Sequence, residues 1–333
     1  MNNSATQKQI FLAIEQAKNI LIVPHKDPDP DTLGAALALH EHITSCSKQA
    51  RIFNLTGASK KFHFLPHYNQ ISSDPVVWED TSIDLIIVLD SGDLDYAGIL
   101  PMMETITFRP QIVNIDHHKT NAFFGDINLV NLESSSTSEI LYFLFRHNRV
   151  SITPTMATNL IAGIMYDTDN FTNAATKYTS LFATSDLVKH GGRFHFIKEH
   201  LYRDKSVDIL KLWGEILGRL QHNTKHDIVY TFITLRDLNH HSVSEDDLRG
   251  FSNFLSNIKE GSGAIFFKEK PDGNIRVSMR TTYDHIDMSA IAEHFGGGGH
   301  KKACGFELEG PIDTAFERFF IELDTHPIPW RLS

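Results

Sequence analysis

The sequence predicts an α/β protein with an N-terminal parallel sheet covered by helices on both faces, a helical connector and a smaller C-terminal α+β domain. Over residues 1–190, short β-rich apolar runs alternate with helical stretches, the usual pattern of parallel α/β domains. Residues 191–225 read as the connector, and strand and hairpin patterns follow over 226–333. A chain of 333 residues is long enough for two domains with separate cores.

The first domain contains four apolar runs that are candidate buried strands, at 19–24, 51–55, 84–90 and 111–116. Asp31 is predicted to be the N-cap of the first long helix, because helix-forming residues with apolar spacing follow it directly. Further helical patterns lie at about 135–148, 153–166 and 176–190.

Beyond these elements, residues 193–222 look helical throughout and are rich in charges, which indicates a connector. Residues 226–235 are a candidate strand, and the segments AIFFKE and NIRVSMRT flank the turn PDGN as a hairpin. A helical stretch near 287–295 then leads into four glycines.

The amino-acid composition argues against two classes of protein, those that bind long duplex nucleic acid and those that span a membrane. Acidic residues outnumber basic ones by 41 to 31, giving a net charge of −10, so a track for long duplex nucleic acid is not expected. The composition is still compatible with a small anionic ligand that is bound by a few basic side chains or by metal ions. Two distant cysteines suit a reducing cytoplasm, and no apolar run approaches the roughly 18 residues that span a bilayer. We therefore predict a cytoplasmic protein without a membrane segment.

Acidic and histidine side chains collect where the predicted strands end. His25 ends the first strand and is followed by Asp29 and Asp31, Asp90 ends the third, and Asp116, His117 and His118 end the fourth. Ligands of parallel α/β sheets bind at the carboxyl edge, so these groups are expected to share one rim. Asp167, at the end of a later helical run, is predicted to join them.

Many carboxylates at one rim repel one another unless cations compensate them. Carboxylate and imidazole ligands without thiolate suit Mn²⁺, with Mg²⁺ as the alternative, and six groups suffice for two ions sharing one carboxylate. Singly, Asp31 could be only a helix cap, Asp90 a turn residue and Asp116 a surface acid. The remaining histidines that we considered are interpreted as ordinary surface or core residues: His40, His42, His63, His67 and His294.

Five spaced segments resemble the DHH phosphoesterase family with its DHH-associated C-terminal domain, in the layout of its nano-RNase branch. They are HKDPDPD (25–31), VLDSGD (88–93), NIDHHKTN (114–121), YDTDNF (166–171) and FGGGGHKKACGF (295–306). The resemblance implies that residues 1–190 form the catalytic metal-binding domain and 226–333 the substrate-binding domain. Members of this branch are oligoribonucleases that also remove the 3′-phosphate of adenosine 3′,5′-bisphosphate.

The resemblance also implies roles for single residues. His25, Asp29 and Asp90 are implied ligands of one Mn²⁺. The implied ligands of the second ion are Asp31, Asp90, His117 and Asp167, so that Asp90 bridges the two. His118 is expected to face the scissile phosphate, and Asp116 to orient an imidazole.

In the second domain, Arg280 resembles the substrate-binding arginine of the family, whose planar fork suits a phosphate. Gly296, Gly297, Gly298, Gly299 and His300 resemble the loop that receives the end of the substrate. Without the family match, a flexible loop or helix cap would explain these glycines equally well. Cys304 is interpreted as a packing residue, and the run Ser134–Ser138 as a helix cap in preference to a phosphate contact.

We therefore expect a manganese-dependent phosphoesterase that acts on short RNA or small phosphorylated nucleotides through a hydroxide activated by two metal ions. The family resemblance is also compatible with a homodimer. The alternatives are a cyclic- or linear-dinucleotide phosphodiesterase, a manganese pyrophosphatase, a long single-strand exonuclease and a non-catalytic nucleotide-binding module. The glycine segment argues against the pyrophosphatase, the acidity against the long exonuclease, and the complete ligand set against the non-catalytic module.

Overall fold

The computed structural model describes residues 4–203, 205–248, 250–326 and 328–331. The chain divides into two compact units, Met1–Asp204 and Lys205–Ser333. This division falls inside the segment 191–225 that the sequence suggested as a connector.

The first unit is built on a six-stranded sheet in the order β3-β2-β1-β4-β5-β6, in which every neighbouring pair is parallel. This confirms the predicted parallel α/β class. Its strands are β1 Asn19–Pro24, β2 Gln49–Phe53, β3 Ile71–Ser72, β4 Leu85–Leu89, β5 Gln111–Asp116 and β6 Ile127–Val130. Its helices are α1 Ser4–Gln16, α2 Pro30–Ser45, α3 Leu100–Thr105, α4 Thr137–His147, α5 Pro154–Asp167, α6 Tyr178–Lys189 and α7 Phe194–Tyr202.

Alternating apolar side chains give this sheet two buried faces. Ile20 and Ile22 belong to the core that also contains residues of α1, α2, α4 and α5. Leu21 and Val23 point the other way, into a smaller core with Trp78. Burying one such side chain stabilises the fold by roughly 1.5–3 kcal/mol, so apolar contacts on both faces of the sheet stabilise β1 in its central position.

The second unit contains a mixed six-stranded sheet in the order β11-β12-β10-β9-β8-β7. Its strands are β7 Gln221–Asn223, β8 Ile228–Ile233, β9 Gly263–Glu269, β10 Ile275–Arg280, β11 Gly298–His300 and β12 Ala303–Leu308. Its helices are α8 Val207–Gly218, α9 Leu235–His241, α10 Phe251–Leu255, α11 Met288–His294 and α12 Ile312–Thr325. Strands β9 and β10 form the predicted antiparallel hairpin, whereas β8 and β9 are parallel.

Two local predictions were wrong. Asp29, not Asp31, is the N-cap of α2: its side chain accepts from the N–H groups of Asp31 and Thr32, and Pro30 takes the first helical position, which suits its fixed φ. Residues 193–222 are not one helical stretch, because Ser206 caps a new helix, α8, and residues 221–223 form β7.

Cys46 is exposed and Cys304 is buried, and neither is in a disulfide. Within the described residues, no helix is both long enough and apolar enough to cross a bilayer.

Candidate metal centre

Three neighbouring strands bring the predicted residues to one edge of the first sheet. β4 lies between β1 and β5. His25 follows β1 directly, Asp90 follows β4, and Asp116 is the last residue of β5. Because the three strands are parallel, their carboxyl ends meet at the same edge.

His25, Asp29 and Asp90 form a first group, whose potential ligand atoms all lie within 4.8 Å of one another. The Nε2 atom of His25 is 3.6 Å from Oδ2 of Asp90, and the ring stacks on Tyr96 with centroids 5.0 Å apart. The Nδ1 atom of His25 is buried and has no hydrogen-bond partner among the described residues. Buried polar atoms are rarely left unpaired, so this nitrogen calls for an ion or a water.

A second group consists of Asp31, His117 and Asp167, whose potential ligand atoms also lie within 4.8 Å of one another. The Nε2 atom of His117 is 3.2 Å from Oδ2 of Asp167 and 3.3 Å from Oδ1 of Asp90. One oxygen of Asp90 therefore faces the imidazole of the first group, and the other oxygen faces the imidazole of the second. Asp90 is placed where a carboxylate shared by two ions would be.

The backbone of Asp90 has a φ of +59°, in the left-handed region that side chains other than glycine seldom adopt. Thr137 donates from its hydroxyl to Oδ1 of Asp90 at 2.9 Å. Strained backbone of this kind persists where surrounding contacts hold it and is frequent at functional sites.

Helix α4 holds Asp31 through its N-terminus. The backbone N–H of Thr137 donates to Oδ2 of Asp31 at 2.7 Å, and that of Ser138 donates to Oδ1 at 2.9 Å. Ser136 caps the same helix by accepting from Glu139 N–H, as the capping interpretation of this serine-rich run expects. The run thus also supports a buried acid, which the sequence analysis missed although a helix N-terminus is a natural partner for a carboxylate.

Acidic side chains crowd this site more than they can all ionise unaided. Burial, and then the charge of Asp90, raise the pKa of Asp31 to about 7. Burial also raises the pKa of Asp29, and that of Asp167 goes well above its ordinary value. Asp167 is the last residue of α5, where the helix dipole disfavours a negative charge.

The pKa of Asp90 is lowered, whereas that of its neighbour His117 is raised. Burial lowers the pKa of His117, but the hydrogen bond and charge of Asp90 outweigh it and raise that pKa to about 9. Burial raises the pKa of Asp90, yet hydrogen bonds from His117 and His25 leave it below its ordinary range. The negative charge of the site therefore favours the binding of cations. Carboxylate and imidazole ligands fit divalent ions such as Mn²⁺.

Asp116 holds His118 in one orientation. The Nδ1 atom of His118 donates to Oδ1 of Asp116 at 2.7 Å, and the backbone N–H groups of His117 and His118 donate to the same oxygen. Asn121, which the sequence analysis did not single out, donates to Oδ2 at 2.6 Å. The bond to Asp116 raises the pKa of His118, and Nε2 is left as the atom that can exchange a proton.

Two glycines allow α2, α4 and α5 to approach closely. A Cβ atom on Gly163 would lie 2.0 Å from Oγ of Ser138 and 2.5 Å from Oδ1 of Asp31. A Cβ atom on Gly34 would lie 2.3 Å from the carbonyl oxygen of Asn159. The absence of side chains at both positions therefore lets α5 carry Asp167 toward the groups at the start of α2.

In the second unit, Arg280 ends β10 and is partly buried. Its Nε donates to Oδ1 of Asn253 at 3.0 Å, and burial lowers its pKa. No acidic group of the described residues forms an ion pair with it, so its charge is available to an anion. Arg280 and His300 both pair with Ala303, from the strands on either side, which places the three side chains on one face of the sheet.

The last two of the four glycines and His300 form β11, an edge strand of the second sheet. A Cβ atom on Gly297 would lie 2.2 Å from the carbonyl oxygen of Gly305, and Gly299 has a φ of +136°, so both positions need glycine. Gly298 and His300 are exposed. Cys304 is buried in the core, as its packing interpretation expects, and burial raises its pKa to about 12.

Comparison with known proteins adds two domain matches. The profile of the DHH family, N-terminal domain, matches residues 19–164, and that of the DHHA1 domain matches residues 226–324. A Thermus thermophilus protein described as a bifunctional oligoribonuclease and PAP phosphatase is 27% identical over 301 residues, which cover 90% of this chain and 87% of the relative.

Of two further similarities, one is in sequence and the other is in three-dimensional structure. A cyclic-di-AMP phosphodiesterase of Geobacillus thermodenitrificans is 26% identical over 89% of this chain and 45% of its own length. A crystal structure of an exopolyphosphatase-related protein from Bacteroides fragilis superimposes with a TM-score of 0.85 at 24% identity, covering 96% of both chains. That likeness shows the fold.

Proposed function

We propose that this chain hydrolyses short oligoribonucleotides to mononucleotides and removes the 3′-phosphate of adenosine 3′,5′-bisphosphate. The premise is that the chain carries a DHH domain followed by a DHHA1 domain and is a hydrolytic phosphoesterase of that family. The observation that carries the proposal is the position of Asp90, whose two carboxylate oxygens face the imidazoles of two separate ligand groups. The two activities in the description of the Thermus thermophilus relative support this choice of substrates.

Two Mn²⁺ ions are part of the proposal. His25, Asp29 and Asp90 would hold one ion, and Asp31, His117 and Asp167 the other, with Asp90 shared. When bound, divalent ions at such a site neutralise phosphate charge and lower the pKa of water. Asp29 can serve as a ligand because its bonds to the N–H groups of α2 both go to Oδ1, which leaves Oδ2 unused by them.

The chain's own groups orient and protonate the substrate. Asp116 keeps the proton of His118 on Nδ1 and fixes the ring, so that Nε2 can stabilise the scissile phosphate or protonate the leaving oxygen. Arg280 would bind a phosphate of the substrate, since its planar fork has no acidic partner within the described residues and shares a sheet face with His300.

The test is a substrate panel with purified full-length chain and Mn²⁺. It contains RNAs from dinucleotides to about two dozen nucleotides, adenosine 3′,5′-bisphosphate and cyclic dinucleotides. We expect turnover to fall steeply beyond a few nucleotides. Equal activity on the longest RNA would contradict the proposal, as would activity confined to cyclic dinucleotides.

A cyclic-dinucleotide phosphodiesterase is the second candidate, because the Geobacillus thermodenitrificans relative carries that activity in its description. A preference for cyclic over linear dinucleotides in the same panel would select it. A cytoplasmic location and a homodimer complete the proposal, and sedimentation of the purified chain measures the latter.

A further inference from the structure

A further cluster of metal-ligand side chains lies in the second unit and shares no residue with the groups assigned above. The Nε2 atom of His294 is 3.0 Å from Oε1 of Glu322, and the Nδ1 atom of His326 is 2.9 Å from the same oxygen. Potential ligand atoms of all three residues lie within 4.8 Å of one another. The sequence analysis interprets His294 as an ordinary surface or core histidine, and in the structure its ring is partly exposed and faces Glu322.

We propose that His294, Glu322 and His326 bind a zinc ion. Two imidazoles and one carboxylate without thiolate are ligands that zinc accepts, and three protein ligands leave a coordination position for water. The cluster is open enough for ion entry, since the side chains of His294, Glu322 and His326 are 31%, 38% and 59% exposed. A carboxylate oxygen already placed between two ring nitrogens needs little rearrangement to share a dication with them.

The backbone holds these ligands in place. Glu322 lies in the last turn of α12, and His326 is the C-cap residue that follows this helix. The backbone N–H of His326 still donates to the carbonyl oxygen of Glu322, four residues earlier, so the two side chains lie on the same side of the helix end. His294 is the last residue of α11, and the next residue, Phe295, stacks on Phe306 with ring centroids 4.6 Å apart. Sites on packed elements such as these keep their geometry better than sites on loops.

The ordinary explanation is a pair of surface histidines that hydrogen-bond to one glutamate, with the Thr325 hydroxyl 3.1 Å from Nδ1 of His326 as an additional neighbour. The two explanations differ in zinc content. Hydrogen bonds alone retain no ion, whereas the proposed site adds one zinc per chain to whatever the catalytic groups bind.

The experiment measures zinc bound per chain by equilibrium dialysis of the full chain after removal of metals with a chelator. Wild type is compared with the double variant His294→Ala/His326→Ala and with the control His285→Ala, an exposed histidine of the same unit. The catalytic groups are unchanged in all three proteins, so their zinc cancels in the comparison. We expect the double variant to bind one zinc fewer than wild type and the control.

Equal zinc content in wild type and the double variant would overturn the proposal, as would the same loss in the His285 control. Glu322→Gln keeps both imidazoles and removes the anionic ligand. It should weaken the binding of this zinc by at least about tenfold. Loss of a group that only supports a metal ligand already costs about tenfold in metal affinity. Unchanged affinity in that variant would also contradict the assignment, and circular dichroism verifies that each variant is folded.

Discussion

At the scale of single residues, Asp90 differs from the other acids of the site in both conformation and partners. Its backbone is left-handed, Thr137 donates to one of its oxygens, and an imidazole faces each oxygen. Asp29, Asp31 and Asp167 have raised pKa values, whereas that of Asp90 is lowered by its hydrogen bonds to the two histidines, which outweigh its burial. Asp90 therefore stays ionised more readily than Asp29, Asp31 or Asp167.

Replacing Asp90 by asparagine should abolish Mn²⁺-dependent hydrolysis. The change keeps the shape of the side chain but removes the charge that would serve both ions. The loss in kcat/KM should exceed about 100-fold, the upper range for residues that only support a ligand. The matched control is Asp95→Asn, an exposed acid on the same stretch of chain, which should keep full activity. Retained hydrolysis in the Asp90 variant would remove the shared carboxylate from the proposal.

Arg280 is the residue whose loss should act on substrate binding alone. Arg280→Ala should raise KM for dinucleotides bearing a terminal phosphate by about 10-fold or more, because a hydrogen bond to a charged group contributes roughly 1.5–3 kcal/mol. Arg276, on the same strand with its side chain 59% exposed, provides the control Arg276→Ala. Steady-state kinetics together with Mn²⁺ binding form the measurement. Unchanged KM combined with lost metal binding would show that the proposed division of roles between the two domains is wrong.

At the scale of elements, the site depends on how closely three helices pack. Asp31 lies in the first turn of α2, its oxygens accept from the N-terminus of α4, and α5 ends at Asp167. At Gly163 of α5, a side chain would meet both Ser138 of α4 and Asp31 of α2. A glycine within a helix costs about 1 kcal/mol relative to alanine, so its presence here is explained by the contact and not by helix propensity.

Gly163→Ala should therefore destabilise the protein and weaken metal binding together. The added methyl group would collide with Ser138 and Asp31, and overpacking of this kind costs roughly 1–3 kcal/mol. Gly214→Ala is the control, because nothing lies within 4 Å of a Cβ atom at that position of α8. It should stabilise the protein by about 0.5–1 kcal/mol. Urea unfolding and Mn²⁺ titration measure both effects, and equal behaviour of the two variants would contradict the close-packing argument.

At the scale of the whole molecule, each unit has its own cores and its own chemistry. The first unit buries apolar side chains on both faces of its parallel sheet, and the acidic rim lies at one edge of that sheet. The second unit buries a separate set around β8, β9 and β10. The clustered acids of the rim repel one another without a cation, so the stability of the first unit should depend on metal.

Mn²⁺ should therefore raise the unfolding temperature of the first unit within the full chain. An ion present at about 100 times its Kd stabilises the folded state by about 2.7 kcal/mol. Calorimetry measures the shift, and hydrogen exchange assigns it to a unit. Asp90→Asn should lose the shift and Asp95→Asn should keep it. A wild-type transition that does not respond to Mn²⁺ would be inconsistent with the proposed metal centre.

The amino-acid sequence alone determined the parallel α/β class, the β9–β10 hairpin and the meeting of the acids at one sheet edge. Local information is sufficient for these features. Apolar runs and turn residues specify strands and hairpins, and a parallel sheet necessarily gathers the carboxyl ends of its strands. The order of the DHH motifs along the chain added the expectation of a phosphoesterase.

Only the tertiary structure decided which groups support the site. Asp31 was predicted as a helix cap from its neighbours in sequence, yet Asp29 is the cap, and Asp31 instead accepts from backbone more than 100 residues away in the chain. The same holds for His294, whose partners Glu322 and His326 lie at the C-terminal end of another helix, α12. Periodicity describes which side of an element is buried, but packing between distant elements selects the atoms that meet there.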